Sequence, residues 1–138
     1  MDESILRQRL QETSIEDWEI LSTGEGFLLV TDWHWPNNER IEIHIRPVGE
    51  RDDLYLVSDG GDLFNLLYSQ GVELGKDERG MKILDGVAKN YGAKVVDCQI
   101  AKGAGPEDLH RAIRMVLEAV KDASFLLWYK LDEGACLH

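Results

Sequence analysis

Apolar and polar residues alternate one for one through "RIEIHIRP": Ile41, Ile43 and Ile45 fall on one side, Glu42, His44 and Arg46 on the other. A period of two belongs to an antiparallel strand with one wet face, and Pro47 ends it. Upstream, "WEILSTGEGFLLVTDW" carries two short apolar runs around Thr23-Gly24-Glu25-Gly26, which predicts a hairpin or close strand pair. "WPNNER" and "VGERDD" carry turn chemistry, and "LYLVS" reads as a further strand. Residues from about Trp18 to Ser58 therefore form a meander of roughly four strands. Ahead of it, Asp2 or Ser4 caps a first helix reaching about Glu12, with Ile5, Leu6 and Leu10 as its apolar stripe.

From Asp62 the period changes. Leu63, Leu66 and Leu67 suit a short helix stopped near Gly71. A second helix follows over "MKILDGVAKNYG", with Ile83, Leu84, Val87 and Ala88 apolar and Gly92 at its stop. "AKVVDCQI" reads as a fifth strand and "KGAG" as a flexible turn. Pro106 suits a first helical position, and Glu107 and Asp108 suit the positive helix end. Leu109, Ile113, Val116, Leu117 and Val120 hold helical spacing, and the pattern continues through "DASFLLWYKLD", so this helix is expected to exceed about 20 residues. No repeat or linker interrupts the chain. Residues 1–138 read as a single α+β domain: an antiparallel meander of about four to five strands, helices packed on one face and a long C-terminal helix.

Composition alters this picture in one respect. The 138 residues are 43% hydrophobic and 30% charged, ordinary for a globular chain. Yet 26 acidic residues face 15 basic ones, for a net charge of -11. That disfavours direct nucleic-acid binding through the phosphate backbone and points to a basic protein partner, or to solubility alone. The N-terminus lacks a basic-then-apolar signal pattern, and no apolar run approaches the ~18 residues of a membrane span, so cytoplasmic residence is expected. Cys98 reads as a small buried residue of a strand and Cys136 as a thiol near the C-terminal end; nothing else points to secretion and a disulfide.

Four groups of residues raise chemical questions. In "LYLVSDGGDLFNLL", Asp59-Gly60-Gly61-Asp62 joins an apolar strand to an apolar helix. The run fits neither GxxxxGK[ST] nor GxGxxG, and adjacent carboxylates repel phosphate. The simpler reading is a glycine turn with Asp62 or Ser58 capping the helix; the alternative is a magnesium or manganese site on clustered carboxylates. In "TDWHWPNNERIEIH", Asp32 and His44 are the residues that would join Asp59 and Asp62 in such a site, against the reading of a solvated strand face. Trp33 and Trp35, flanking His34, are either an exposed recognition surface or core anchors. "FLLWY", with Trp128, is either the far end of a core helix or a dimer seam. No nucleophile sits in a catalytic motif.

The strand-turn-helix "YLVSDGGDLFNLLYSQGVEL" resembles a family of small bacterial and phage proteins, domain of unknown function 1828. The likeness rests on the Ser58-Asp59-Gly60-Gly61 turn, the close at Gln70-Gly71-Val72, and the "DLHRAIRMVLEAV" helix from Asp108 to Val120. It departs at Gly60, where family members carry a second acidic residue. The resemblance implies a bacterial or phage setting and brings no catalytic residues. The expectation is a non-enzymatic protein-interaction module engaging a protein partner through Trp33, Trp35 or Trp128, with no cofactor. Its narrower form has the acidic surface imitating DNA and interfering with a host defence or nucleic-acid enzyme. The alternative is a divalent-metal-dependent hydrolase or nuclease-like enzyme using Asp59, Asp62, Asp32 and His44. A homodimer formed along the last helix is a third arrangement.

Overall fold

In a computed structural model, which describes residues 3–11, 18–50 and 53–126, the alternating segments form an antiparallel sheet. Its strands are β1 (Glu19–Ser22), β2 (Phe27–His34), β3 (Arg40–Pro47), β4 (Tyr55–Ser58), β5 (Lys94–Val96) and β6 (Gln99–Ala104), in the spatial order β1-β2-β3-β4-β6-β5. Among the described residues the helices are α1 (Glu3–Gln11), α2 (Asp62–Ser69), α3 (Glu78–Asn90) and α4 (Leu109–Ala123), with a 3-10 turn at Leu74–Lys76. The class is α+β, with six strands rather than four to five.

The period of two in β3 does what it predicts. Ile41, Ile43 and Ile45 are buried, and the register brings Leu29 opposite Ile43 and Val57 opposite Ile45, all on one face. Against that face lies α4, whose Leu109, Ile113, Val116, Leu117 and Val120 are buried as their spacing requires. Ala112, Ala119 and Ala123 are buried beside them, so the helix axis can approach the strands closely. α3 adds Leu84 and Ala88 to the same core. Its N-terminus is capped by Asp77, whose carboxylate accepts from the Gly80 amide at 3.0 Å. At its other end Lys102 reaches from β6 to donate to the Gly92 carbonyl at 2.9 Å, a cation where the helix dipole favours one.

Several expectations are corrected. "AKVVDCQI" is not one strand. Asp97 and Cys98, both at positive φ (50° and 61°), form the two-residue turn of a β5–β6 hairpin. Cys98 is therefore an exposed free thiol instead of a buried strand residue, and most of "KGAG" is strand β6. α4 begins at Leu109, after a turn through Pro106, and a turn at Ser124 closes its 15 residues. Beyond it Leu126 is buried and Phe125 exposed. Trp128 and Cys136 lie outside the described residues. In α1, Leu6 is buried and Ile5 exposed, while the Leu10 side chain lies outside the described residues.

Gly26 immediately precedes β2 at a point where a Cβ would stand 2.0 Å from the Ile45 carbonyl oxygen, whereas Gly24 has nothing within 4 Å. Gly26→Ala should cost at least about 2 kcal/mol in urea unfolding, and Gly24→Ala should stay within about 0.5 kcal/mol of wild type.

Candidate functional site

β4 stops at Ser58 while both neighbours run on. Ser58 pairs with His44 and with Ala101, yet β3 extends beyond His44 to Arg40 and β6 beyond Ala101 to Gln99. The chain leaves this gap through Asp59-Gly60-Gly61, the two glycines at φ 67° and 84°, and α2 then faces the start of β3 across a cleft. Asp59 holds the junction. It is 0% exposed, and its carboxylate accepts from the amides of Gly61 (3.0 Å), Leu63 (3.3 Å) and Ile100 (3.1 Å). The Ser58 hydroxyl takes the Gly60 amide at 3.2 Å. The carboxylate that serves the start of α2 thus belongs to Asp59, and neither Asp62 nor Ser58 caps it. Burial pushes the Asp59 carboxyl above its ordinary range, although the three amides and His44 pull the other way.

His44 lies directly under the turn, and a Cβ at position 60 would stand 2.4 Å from its Nε2. Both the φ and the space demand glycine at position 60. The His44 Nε2 is buried without a hydrogen-bond partner.

Between β3 and α2 runs a polar cleft of about 290 Å³, walled by Glu39, Arg40 and Glu42 on one side and by Asp62, Asn65 and Ser69 on the other. Asp62 is pushed up to about 6. Burial is the main cause; His44 opposes it, and the negative charges of Asp59, Glu42 and Glu39 add to it. The cleft can therefore gain and lose a proton within a physiological range.

Of the four candidate metal ligands, the structure gathers Asp59, Asp62 and His44 and leaves out Asp32. Asp32 accepts a hydrogen bond from the Trp18 indole at 3.0 Å and does not line the cleft. Both Asp59 oxygens are engaged by backbone amides. Among the described residues no group of three or more His, Cys, Asp or Glu side chains is arranged to hold a metal ion.

Of the two readings of the tryptophans, the burial of Trp35 and the packing of Trp33 fit core anchors. Trp35 is buried, and Trp33 is half-buried, packed on the core with Lys121 Nζ 4.2 Å from its ring centroid.

A different surface was hidden from sequence reasoning. The sheet face opposite α4 carries Glu19 and Leu21 from β1, Leu28 and Val30 from β2, and Arg40, Glu42, His44 and Arg46 from β3, with Arg40 Nη1 3.7 Å from Glu19 Oε1. Leu56 from β4 and Lys94 and Val96 from β5 continue it. Leu21 is 49% exposed, Val96 50%, and Leu28, Val30 and Leu56 are half-buried. The signal for this face was "FLLV", apolar at consecutive positions, which is how a strand covered on both sides reads.

The chain matches no protein-family model and no curated protein. Its fold is similar to that of an uncharacterized protein from Methanothermobacter thermautotrophicus, known from a crystal structure, at 12% identity and a TM-score of 0.51. The match covers 94% of this chain and 99% of that one, and it is a likeness of fold. No helix among the described residues is long and apolar enough to cross a membrane.

Asp59→Ala leaves three buried amides without an acceptor and should cost at least about 3 kcal/mol; Asp59→Asn, which keeps one oxygen, should cost about half as much in the same urea titration. Asp62 binds its proton more tightly in the folded chain than at its ordinary 3.8, so its contribution to stability is full below about pH 4 and is lost as pH rises through about 6. Asp62→Asn should therefore be more stable than wild type at pH 7.5, by on the order of 1 kcal/mol after solvent screening, with the gain shrinking towards pH 4. Thermal melts across that range measure it.

Proposed function

We propose that the protein is a small acidic cytoplasmic protein-interaction module whose recognition surface is the open face of its sheet. One observation carries this reading. β2 is apolar on both sides, but among the described residues the core takes in Leu29 and leaves out Leu28 and Val30, which stay half-buried between the exposed Leu21 and the half-buried Leu56. An apolar patch rimmed by charged side chains is the usual form of a protein contact surface. Burial of Trp35 and packing of Trp33 favour this face over the Trp33/Trp35 loop, one of the contact surfaces expected from the sequence. The turn that resembles domain of unknown function 1828 supports a bacterial or phage setting for the module.

Tagged wild-type protein should capture a stoichiometric partner, identified by mass spectrometry, from a lysate of its source organism. Capture should survive a high-salt wash, because an apolar contact is little screened. Leu21→Glu, at an exposed edge position that the fold does not need, should weaken the contact at least about tenfold in titration against the purified partner. Equal binding by this variant would remove the open face as the recognition surface.

A further inference from the structure

Another cavity lies at one end of the sheet, on the α4 side and away from the open face. Phe27 at the start of β2, Ile45 near the end of β3 and Tyr55 at the start of β4 share the sheet face that α4 covers elsewhere. Together with the β1–β2 turn and the β3–β4 loop they line a cavity of about 430 Å³, to which α4 contributes no residue. That volume falls within the roughly 300–1,000 Å³ of small-molecule pockets.

Two features of the lining say what it takes. Its charged side chains are Glu25 from the turn and Glu50 from the loop, both exposed, and among the described residues neither is ion-paired and no lysine or arginine lines the cavity. Tyr55 is only 5% exposed, yet among the described residues its hydroxyl has no hydrogen-bond partner. Buried polar groups ordinarily have one, so this hydroxyl is left for a ligand. Phe27, Ile45 and the Tyr55 ring supply the apolar part of the lining.

We propose that this cavity binds a small organic amine, its ammonium group held by Glu25 and Glu50 and its apolar or aromatic body against Phe27, Ile45 and Tyr55. The charge of the whole chain works in the same direction: at -11 it concentrates cations near the surface and repels anions. A neutral ligand would leave both carboxylates without a counter-charge. A lysine side chain of another protein carries the same ammonium group, but its unbranched stem fills little of the space, whereas an aromatic or branched body fills it. The site is separate from the open face, and the two readings stand or fall independently.

Tryptamine, tryptophol and indole-3-propionate share one ring system and end in a cationic, a neutral and an anionic group. Titrated into the isotope-labelled full chain at neutral pH and low salt, tryptamine should shift the NMR amide signals of Phe27, Ile45 and Tyr55 with a Kd of about 1 mM or below. Tryptophol should bind at least about fivefold more weakly, and indole-3-propionate should leave those signals in place. Glu25→Gln and Glu50→Gln should each weaken tryptamine about threefold and together about tenfold, without changing tryptophol. Tyr55→Phe should weaken it about threefold at an unchanged melting temperature, because the hydroxyl it removes serves nothing in the fold. Signals that stay put with tryptamine overturn the proposal. So does equal binding of the three compounds, or indifference to both glutamate variants. The peptide acetyl-Trp-Lys-amide separates the two sources of an ammonium group: weaker binding than tryptamine supports the free amine, and tighter binding at the same residues transfers the cavity to a protein segment and overturns it.

Discussion

Everything at the centre of this fold hangs on one buried carboxylate. Asp59 carries charge-accepting oxygens in a place with no exposure to water, and it is tolerable there only because three backbone amides converge on it. Those amides belong to three different pieces of structure: the turn itself, the first turn of α2, and β6. One side chain thus ends β4, starts α2 and fixes the level at which β6 passes. The opposing pulls on its proton, burial upward and the amides downward, describe the same balance in electrostatic terms.

The cleft is a consequence of that junction. Because β4 is only four residues long, β3 projects past it without a strand partner on that side and faces α2 across the cleft. A helix cannot fill the space of a strand evenly, so polar side chains from both elements are left facing one another at partial exposure. Glu39, Glu42 and Asp62 then share a confined region, and the one that is most deeply placed at the helix start, Asp62, holds its proton to about pH 6. His44 tempers this from beneath Gly60, where any larger residue would collide with the imidazole. Turn, glycine, histidine and acidic cleft form one mechanical unit. Asp32, although similar in sequence context, belongs to another: it serves the Trp18 indole.

Local, periodic features were legible in the sequence. Ile41, Ile43 and Ile45 declared a buried strand face, and the spacing from Leu109 to Val120 declared a core helix, because one period decides each. The β5–β6 hairpin was not legible, since its turn uses Asp97 and Cys98 in place of the Asn-Gly or Asp-Gly that marks such turns. The start of α4 was misplaced because Pro106 and two acids suit a first helical turn and a preceding loop equally well. The cluster at Asp59 stood out at once, but its role did not: the Ile100 amide it binds lies 41 positions along the chain. Trp33 and Trp35 are adjacent to turn residues, and only the tertiary packing, with Lys121 brought over from α4, shows them to be inside.

The acidic balance of the chain also takes on a different meaning once the fold is known. A net charge of -11 keeps copies apart at long range and favours solubility. On the open face Arg40, Arg46 and Lys94 stand with Glu19 and Glu42, so the surface around the apolar residues of β1 and β2 carries little of the chain's acidity and the long-range repulsion is weakest there.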